Sequence, residues 1–310
     1  MHTARDPSKH DTAAPILRSD VPFVGRYYVR RLLQAVGPRA SYLAHDAAHG
    51  EVVLRTLTTS EAGPLHARFA HEASVLQELS HAGLAPLLEF GRVDDLLYWV
   101  RPFVAGAPLV CTPAARPTLE QALALGGALF SALDELHRRR ILCRNLRPAN
   151  VIVPDDANSS SAVLTDFGLM APTTNEADVV PRSVAEVLYL SPEQAGSLDC
   201  DVGIPADLYS AGALFFEILA GRPPYEGTTV GSVLLKHMTA HIPKLRSIGM
   251  EVPRALDEVV QRLLRKDPRD RYQSAAAVLT DLAMIQTALE QGNYDPQFVV
   301  GLSDRRRTLT

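Results

Sequence analysis

The residues with the most chemistry to offer lie in two short stretches. The first reads Ile141-Leu142-Cys143-Arg144-Asn145-Leu146-Arg147-Pro148-Ala149-Asn150-Val151-Ile152-Val153. The second, after a polar loop, reads Ala162-Val163-Leu164-Thr165-Asp166-Phe167-Gly168. Apolar runs flank the polar residues in both. Asp166 can ligate a hard cation. Asn145 is a neutral amide and cannot take up a proton. The other reactive residues are less organised. Cys111, Cys143 and Cys200 are odd in number and lack C-x-x-C spacing, which argues against a disulfide framework or a zinc site. His237 and His241 are four apart and could share a helix face, but a surface pair is the more ordinary reading than a metal site.

The chain that must position these groups has 310 residues, enough for one two-lobed domain or two ordinary ones. It is 46% hydrophobic and can build a large core, and its net charge of −4, with Lys and Arg spread along the chain, gives no electrostatic case for nucleic acid. Residues 1–20 lack the apolar centre of a signal peptide. No run of about 18 apolar residues exists to span a membrane. The default location is therefore the cytoplasm. Residues 1–22 are polar and small, and read as a flexible leader.

Strands are expected at Tyr27-Tyr28-Val29 with Leu32-Leu33, at Ser41-Tyr42-Leu43-Ala44 and at Glu51 to Leu57, with His49-Gly50 as a turn. Phe69, Ala73, Leu76 and Leu79 fall at helical spacing. His81 to Leu87 breaks that helix and begins another strand, and Leu96 to Val100 is the next. A helix over 119–140 carries Leu125, Leu129, Ala132, Leu133 and Leu136 on one face and a basic end suited to the helix dipole. Asp207 opens a helix that is apolar almost all round from Ala213 to Leu219 and stops at Gly221 and Pro223-Pro224. Further helices are expected at about 230–241, 253–264 and 274–291.

In this order the motifs resemble the eukaryotic-type Ser/Thr protein kinase domain also found in bacteria. The family pattern H-R-D-L-x-x-x-N followed by D-F-G reads here Cys143-Arg144-Asn145-Leu146-Arg147-Pro148-Ala149-Asn150, then Asp166-Phe167-Gly168. The resemblance implies an α+β, two-lobed fold. A small antiparallel β-sheet lobe with one main helix would cover 23–105, and a larger, mainly α-helical lobe 106–290. Residues 291–310 are expected to be a linker, of the kind that leads towards further domains. The resemblance also implies roles for single residues. Asn150 and Asp166 would hold Mg²⁺, with Asp166 bridging it to the ATP phosphates. Asn145 replaces the catalytic base. Arg55, in Val52-Val53-Leu54-Arg55, replaces the family's Lys, and Glu72 is its expected helix partner. Backbone near Val104 would meet adenine, with Arg101 at the back of that pocket.

All three glycine positions of the family's phosphate loop are other residues in Gln34-Ala35-Val36-Gly37-Pro38-Arg39, so an ordinary hairpin is expected there. Arg147 and Glu186 are expected to form a charged contact, the alternative being two solvated side chains. Thr173, Thr174 and Ser183 could be phosphorylated, with Arg144 as a phosphate partner, or be chance hydroxyls in a polar loop. Glu193 is expected to pair with Arg271, and Asp207 to hold the backbone around Asn145. Two functions follow. One is a pseudokinase, a signalling, regulatory or interaction module for a protein partner. The other is a slow Ser/Thr kinase that moves the ATP γ-phosphate to protein hydroxyls. ATP and Mg²⁺ are the implied cofactors, and the missing glycines, Arg55 and Asn145 count against efficient transfer.

Overall fold

The computed structural model describes residues 17–58, 64–155, 161–168, 183–196 and 201–307. The chain divides into two compact units, the first holding residues up to Ser80 and Ala85–Val104, the second His81–Leu84 and the chain from Ala105 onward.

The first unit is a twisted antiparallel sheet with one helix. In chain order it has β1 (Tyr28–Val36), β2 (Arg39–Asp46), β3 (Gly50–Thr58), α1 (Pro64–Gln77), β4 (Glu89–Val93) and β5 (Leu96–Pro102), in sheet order β1-β2-β3-β5-β4. The period of two sorts the side chains. Ala40, Tyr42 and Ala44 of β2, Val52 and Leu54 of β3, and Tyr98 and Val100 of β5 form one buried face. Leu17 and Phe23 pack on that face, and the Phe23 ring meets Tyr98 edge-on at 5.2 Å. The leader expected to stay flexible through residue 22 is thus docked from Leu17. The opposite face carries Trp99, which lies 6.4 Å from Phe69 of α1 between ring centroids. Arg55 is the direct cross-strand partner of Trp99 and shares this face.

β1 and β2 are joined by Gly37-Pro38, with Val36 opposite Arg39 and Gly37 at φ +55°. Glycine at the first central position suits a two-residue hairpin, and proline tolerates the second. This is the ordinary hairpin that the missing glycines imply. The strand expected to start near Leu84 begins later, at Glu89. Pro86 supplies no N–H for a ladder, and Leu84 bridges to Leu164 inside the second unit instead.

The second unit begins with β6 (Gly106–Pro108) and continues with α2 (Leu119–Arg138), β7 (Val151–Pro154), β8 (Val163–Leu164), α3 (Val184–Val187) and α4 (Ile204–Ala220). Then come α5 (Val230–Thr239), α6 (Arg254–Leu263), α7 (Ala275–Glu290) and α8 (Leu302–Arg307). Thr118 and Gln121 close a capping box at the start of α2, a T-x-x-Q signal that sequence reading passed over. The expected face of α2 is buried throughout. α4 is the hub. All its residues from Ala206 to Ala220 are buried except Glu217, and Gly221 ends it at φ +74°.

Glu193 and Arg271 pair as expected, at 2.6 and 2.8 Å, and both side chains are fully buried. Arg271 also donates to the carbonyls of Pro205, Arg265 and Lys266. All five of its N–H donors are used, which is why this charge can be buried. Beside it, His237 of α5 is buried against Tyr209, whose hydroxyl lies 2.8 Å from His237 Nδ1, and against the Tyr225 ring. Lys266 donates to the Tyr225 hydroxyl at 2.8 Å.

The stretch from residue 293 is docked on the second unit, whereas a linker was expected from residue 291. Asp295 accepts from the Arg254 amide at the start of α6, where Pro253 offers no side-chain cap. Buried Asp304 accepts from the Gln273 amide just before α7, at 2.8 Å. Gly301, at φ +73°, donates to Asp281 and lies so close under the Arg262 guanidinium that a Cβ would come within 2.2 Å of Nη1.

Two stability measurements test this packing. Arg271→Ala leaves Glu193 buried without its partner and should cost roughly 3–5 kcal/mol in urea denaturation. Arg271→Lys keeps the charge but not the planar fork, and should recover only part of that loss. Burial, with the nearby Lys266 charge, pushes His237 down to about 4, against about 6.5 in an unfolded chain. The unfolded state therefore binds this proton first. Stability is full above pH ~6.5 and is lost as the pH falls towards 4, by roughly 3 kcal/mol from this group. His237→Phe should flatten that decline, and an unchanged slope would count against the assignment.

Candidate active site

The site is assembled from α4 outward. Asp207, in its first turn and 2% exposed, points both oxygens at one stretch of backbone. The Cys143 amide donates to Oδ2 and the Arg144 amide to Oδ1, each at 2.7 Å. His137, at the end of α2, lies 2.9 Å from Oδ2 through Nε2. Arg144 sits at φ +60°, a conformation that costs a non-glycine residue about 1–2 kcal/mol. The two charge-assisted bonds to its own and the preceding amide offset that cost. The Gln194 side chain adds a bond to the Arg144 carbonyl. The role expected for Asp207 is what its geometry shows. That of His137 was missed, because its place in a basic helix end hid it.

The turn that follows brings Asn145, Asn150 and Asp166 together. Asn150 ends a 3-10 turn that begins at Pro148, and is 5% exposed. β7 and β8 pair with Val151 opposite Leu164, so the residues before one and after the other become neighbours. The Thr165 amide accordingly donates to the Asn150 carbonyl at 3.0 Å. Asn150 Nδ2 donates to the Asn145 carbonyl at 2.8 Å. Asn145 Nδ2 donates to Asp166 Oδ2, also at 2.8 Å. A carboxylate only accepts, so the amide must present its NH₂ there. Sequence reading placed each of these three residues but not the hydrogen bond between Asn145 and Asp166.

The donor set fits a magnesium nucleotide in part. Asp166 supplies a carboxylate. Asn150, with its NH₂ spent on the Asn145 carbonyl, keeps its amide oxygen for a ligand. Both are hard oxygen donors of the kind Mg²⁺ takes beside substrate phosphates. Among the described residues no group of three or more His, Cys, Asp or Glu side chains could hold a metal alone. A cation here would need the phosphates to complete its shell.

Among the described residues no ion pair joins Arg147 and Glu186. Glu186 is exposed in α3, whereas Arg147 Nε is buried without a hydrogen-bond partner. Thr173 and Thr174 lie outside the described residues, as does Cys200. Burial and Glu217 push the Cys111 thiol up to about 11, and Cys143 is fully buried, so neither is a nucleophile at neutral pH. His237 and His241 are not the surface pair that was expected, because His237 is fully buried among aromatic rings.

The first unit holds the remaining expected residues. Arg55 is half-buried on the sheet face that α1 covers, and Glu72 is half-buried on α1, one turn from Phe69. Arg101 lies opposite Val53 of β3, is 3% exposed, and donates to the Ala85 carbonyl. Val104 is the last residue of the unit.

The chain is similar to known proteins. The model of the protein kinase domain family matches residues 40–282. Probable serine/threonine-protein kinase PknB of Lactococcus lactis is 30% identical over 269 residues, covering 84% of this chain and 42% of that protein. Serine/threonine-protein kinase PrkC of Bacillus subtilis is 30% identical over 265 residues, covering 83% and 40%. The chain thus spans less than half the length of these relatives. The solved kinase domain of Mycobacterium tuberculosis PknI superposes with a TM-score of 0.64 at 26% identity, covering 87% of this chain and 99% of that one. With an antiparallel sheet unit, a helical unit and the ordered Cys-Arg-Asn and Asp-Phe-Gly stretches, this chain belongs to the protein kinase domain family.

Proposed function

We propose that this protein kinase domain works as a pseudokinase, a regulatory or interaction module for a protein partner in the cytoplasm. The observation that carries the reading is the amide at the base position. Kinases place there an Asp that accepts the substrate hydroxyl proton. Asn145 has no basic site to offer, and its NH₂ is turned towards Asp166. The hairpin at Gly37-Pro38 supports the same reading, since it lacks the glycines that let backbone amides approach phosphates. Arg55 stands in place of the Lys and, on the face covered by α1, is suited to pair with Glu72 and hold the helix to the sheet.

A slow Ser/Thr kinase is the second reading. It is favoured by the survival of Asp166 and Asn150, because positioning and cation electrostatics carry most of phosphoryl transfer. In that case ATP would meet the backbone near Val104, and Mg²⁺ would sit on Asn150 and Asp166. PknB and PrkC are named as serine/threonine kinases, and each is longer than the stretch that this chain matches.

Radiolabelled ATP with Mg²⁺ or Mn²⁺ and a generic protein substrate separates the two. The expected result is no transfer above the level of Asp166→Ala. Transfer by the wild-type chain that Asp166→Ala abolishes would establish the slow kinase.

A further inference from the structure

We propose that Asn145 is a positioning residue that lowers the divalent-cation affinity of its own site, by holding the Asp166 carboxylate through a hydrogen bond. The inference rests on the assignment of Asp166 and Asn150 as the cation's protein ligands, and it goes beyond the loss of a base.

The argument starts from charge. With Asp at position 145, two carboxylates would face each other across the distance that now separates Asn145 from Asp166. Like charges so close repel, which would leave both acceptors turned outward and favour a cation between or beside them. With Asn, repulsion becomes attraction. Nδ2 lies 2.8 Å from Asp166 Oδ2, a bond to a buried carboxylate that is 8% exposed. Bonds of this kind, to an ionised acceptor, are stronger than those between neutral groups. A cation on Oδ2 must displace the NH₂ or sit beside its positive end, and it also meets one negative charge fewer.

The same residue ties down the second ligand. Its carbonyl accepts the Asn150 NH₂ at 2.8 Å. Its own amide donates to the Cys143 carbonyl at 2.8 Å. Asn145 cannot drift away from Asp166, because the Cys143 and Arg144 amides just before it are fixed on Asp207. Asn145 therefore aims the Asn150 oxygen while restraining Asp166. Nucleotide bound at this site would depend little on a divalent cation.

Direct Mn²⁺ binding decides the matter, followed by electron paramagnetic resonance of the free ion, with and without AMP-PNP. The wild-type chain is compared with Asn145→Ala, Asn145→Ser, Asn145→Asp and Asp166→Ala. Removing the amide adds no charge, so a gain in affinity on Asn145→Ala or Asn145→Ser reports the loss of this one hydrogen bond to Asp166. The expected order is Asp166→Ala weakest, wild type next, the Ala and Ser variants at least about 10-fold tighter than wild type, and Asn145→Asp tightest. Ala and Ser variants that bind Mn²⁺ no more tightly than the wild type would overturn the proposal. Asp166-dependent phosphoryl transfer by the wild type would defeat the pseudokinase reading alone, because the Mn²⁺ ranking is read without turnover.

Discussion

One buried carboxylate organises the site. Asp207 spends both oxygens on consecutive backbone amides, Cys143 and Arg144, and also meets His137. Its own position is fixed because α4 is buried almost completely. The left-handed turn at Arg144 is affordable only while those bonds hold. From that turn follow the direction of Asn145, the 3-10 turn ending at Asn150, and the meeting of Asn145 with Asp166. A second buried carboxylate, Glu193, is held by the fully bonded guanidinium of Arg271. Neither contact does chemistry. Both are needed to place residues that could.

On the proposed reading, the chain separates two things that an active kinase combines. The apparatus that positions the loop is complete, down to the register of β7 with β8. In the proposed reading, Asn145, Arg55 and the Gly37-Pro38 hairpin stand where an active kinase would move a proton and grip phosphates. Positional bonds to Asp207 are made by backbone amides, which every residue but proline can supply at 143 and 144. Proton transfer depends on the single side chain at 145. Change at position 145 can therefore remove reactivity without disturbing the fold. The amide at 145 also bonds to Asp166, the carboxylate of the proposed cation site.

Much of this was legible in the sequence, for identifiable reasons. α2, α5, α6 and α7 lie within a few residues of the expected spans, because their apolar spacing is long and regular. Asp207 and the Glu193–Arg271 pair were placed because each lies in a short, ordered motif. Contacts that depend on three-dimensional aim were not legible. Arg147 and Glu186 looked complementary in charge, yet one is covered at Nε and the other exposed. The bond from Asn145 to Asp166 spans 21 positions and needs the β7–β8 register to be seen. Residues 291–310 looked like a linker because their composition is polar and without period. Their described part is held by point contacts, Asp295 at α6 and Asp304 before α7, which leave no hydrophobic pattern.

The central claim is that Asn145 and Asp166 are energetically coupled inside an intact scaffold. A double-mutant cycle in urea denaturation measures that coupling directly, using Asn145→Ala, Asp166→Ala and the pair. The account predicts that the double variant loses less than the sum of the singles, by about 1–3 kcal/mol in favour of the native pair. Additive losses, or a coupling of the opposite sign, would mean that the amide does not hold the carboxylate, and the site would have to be read as open.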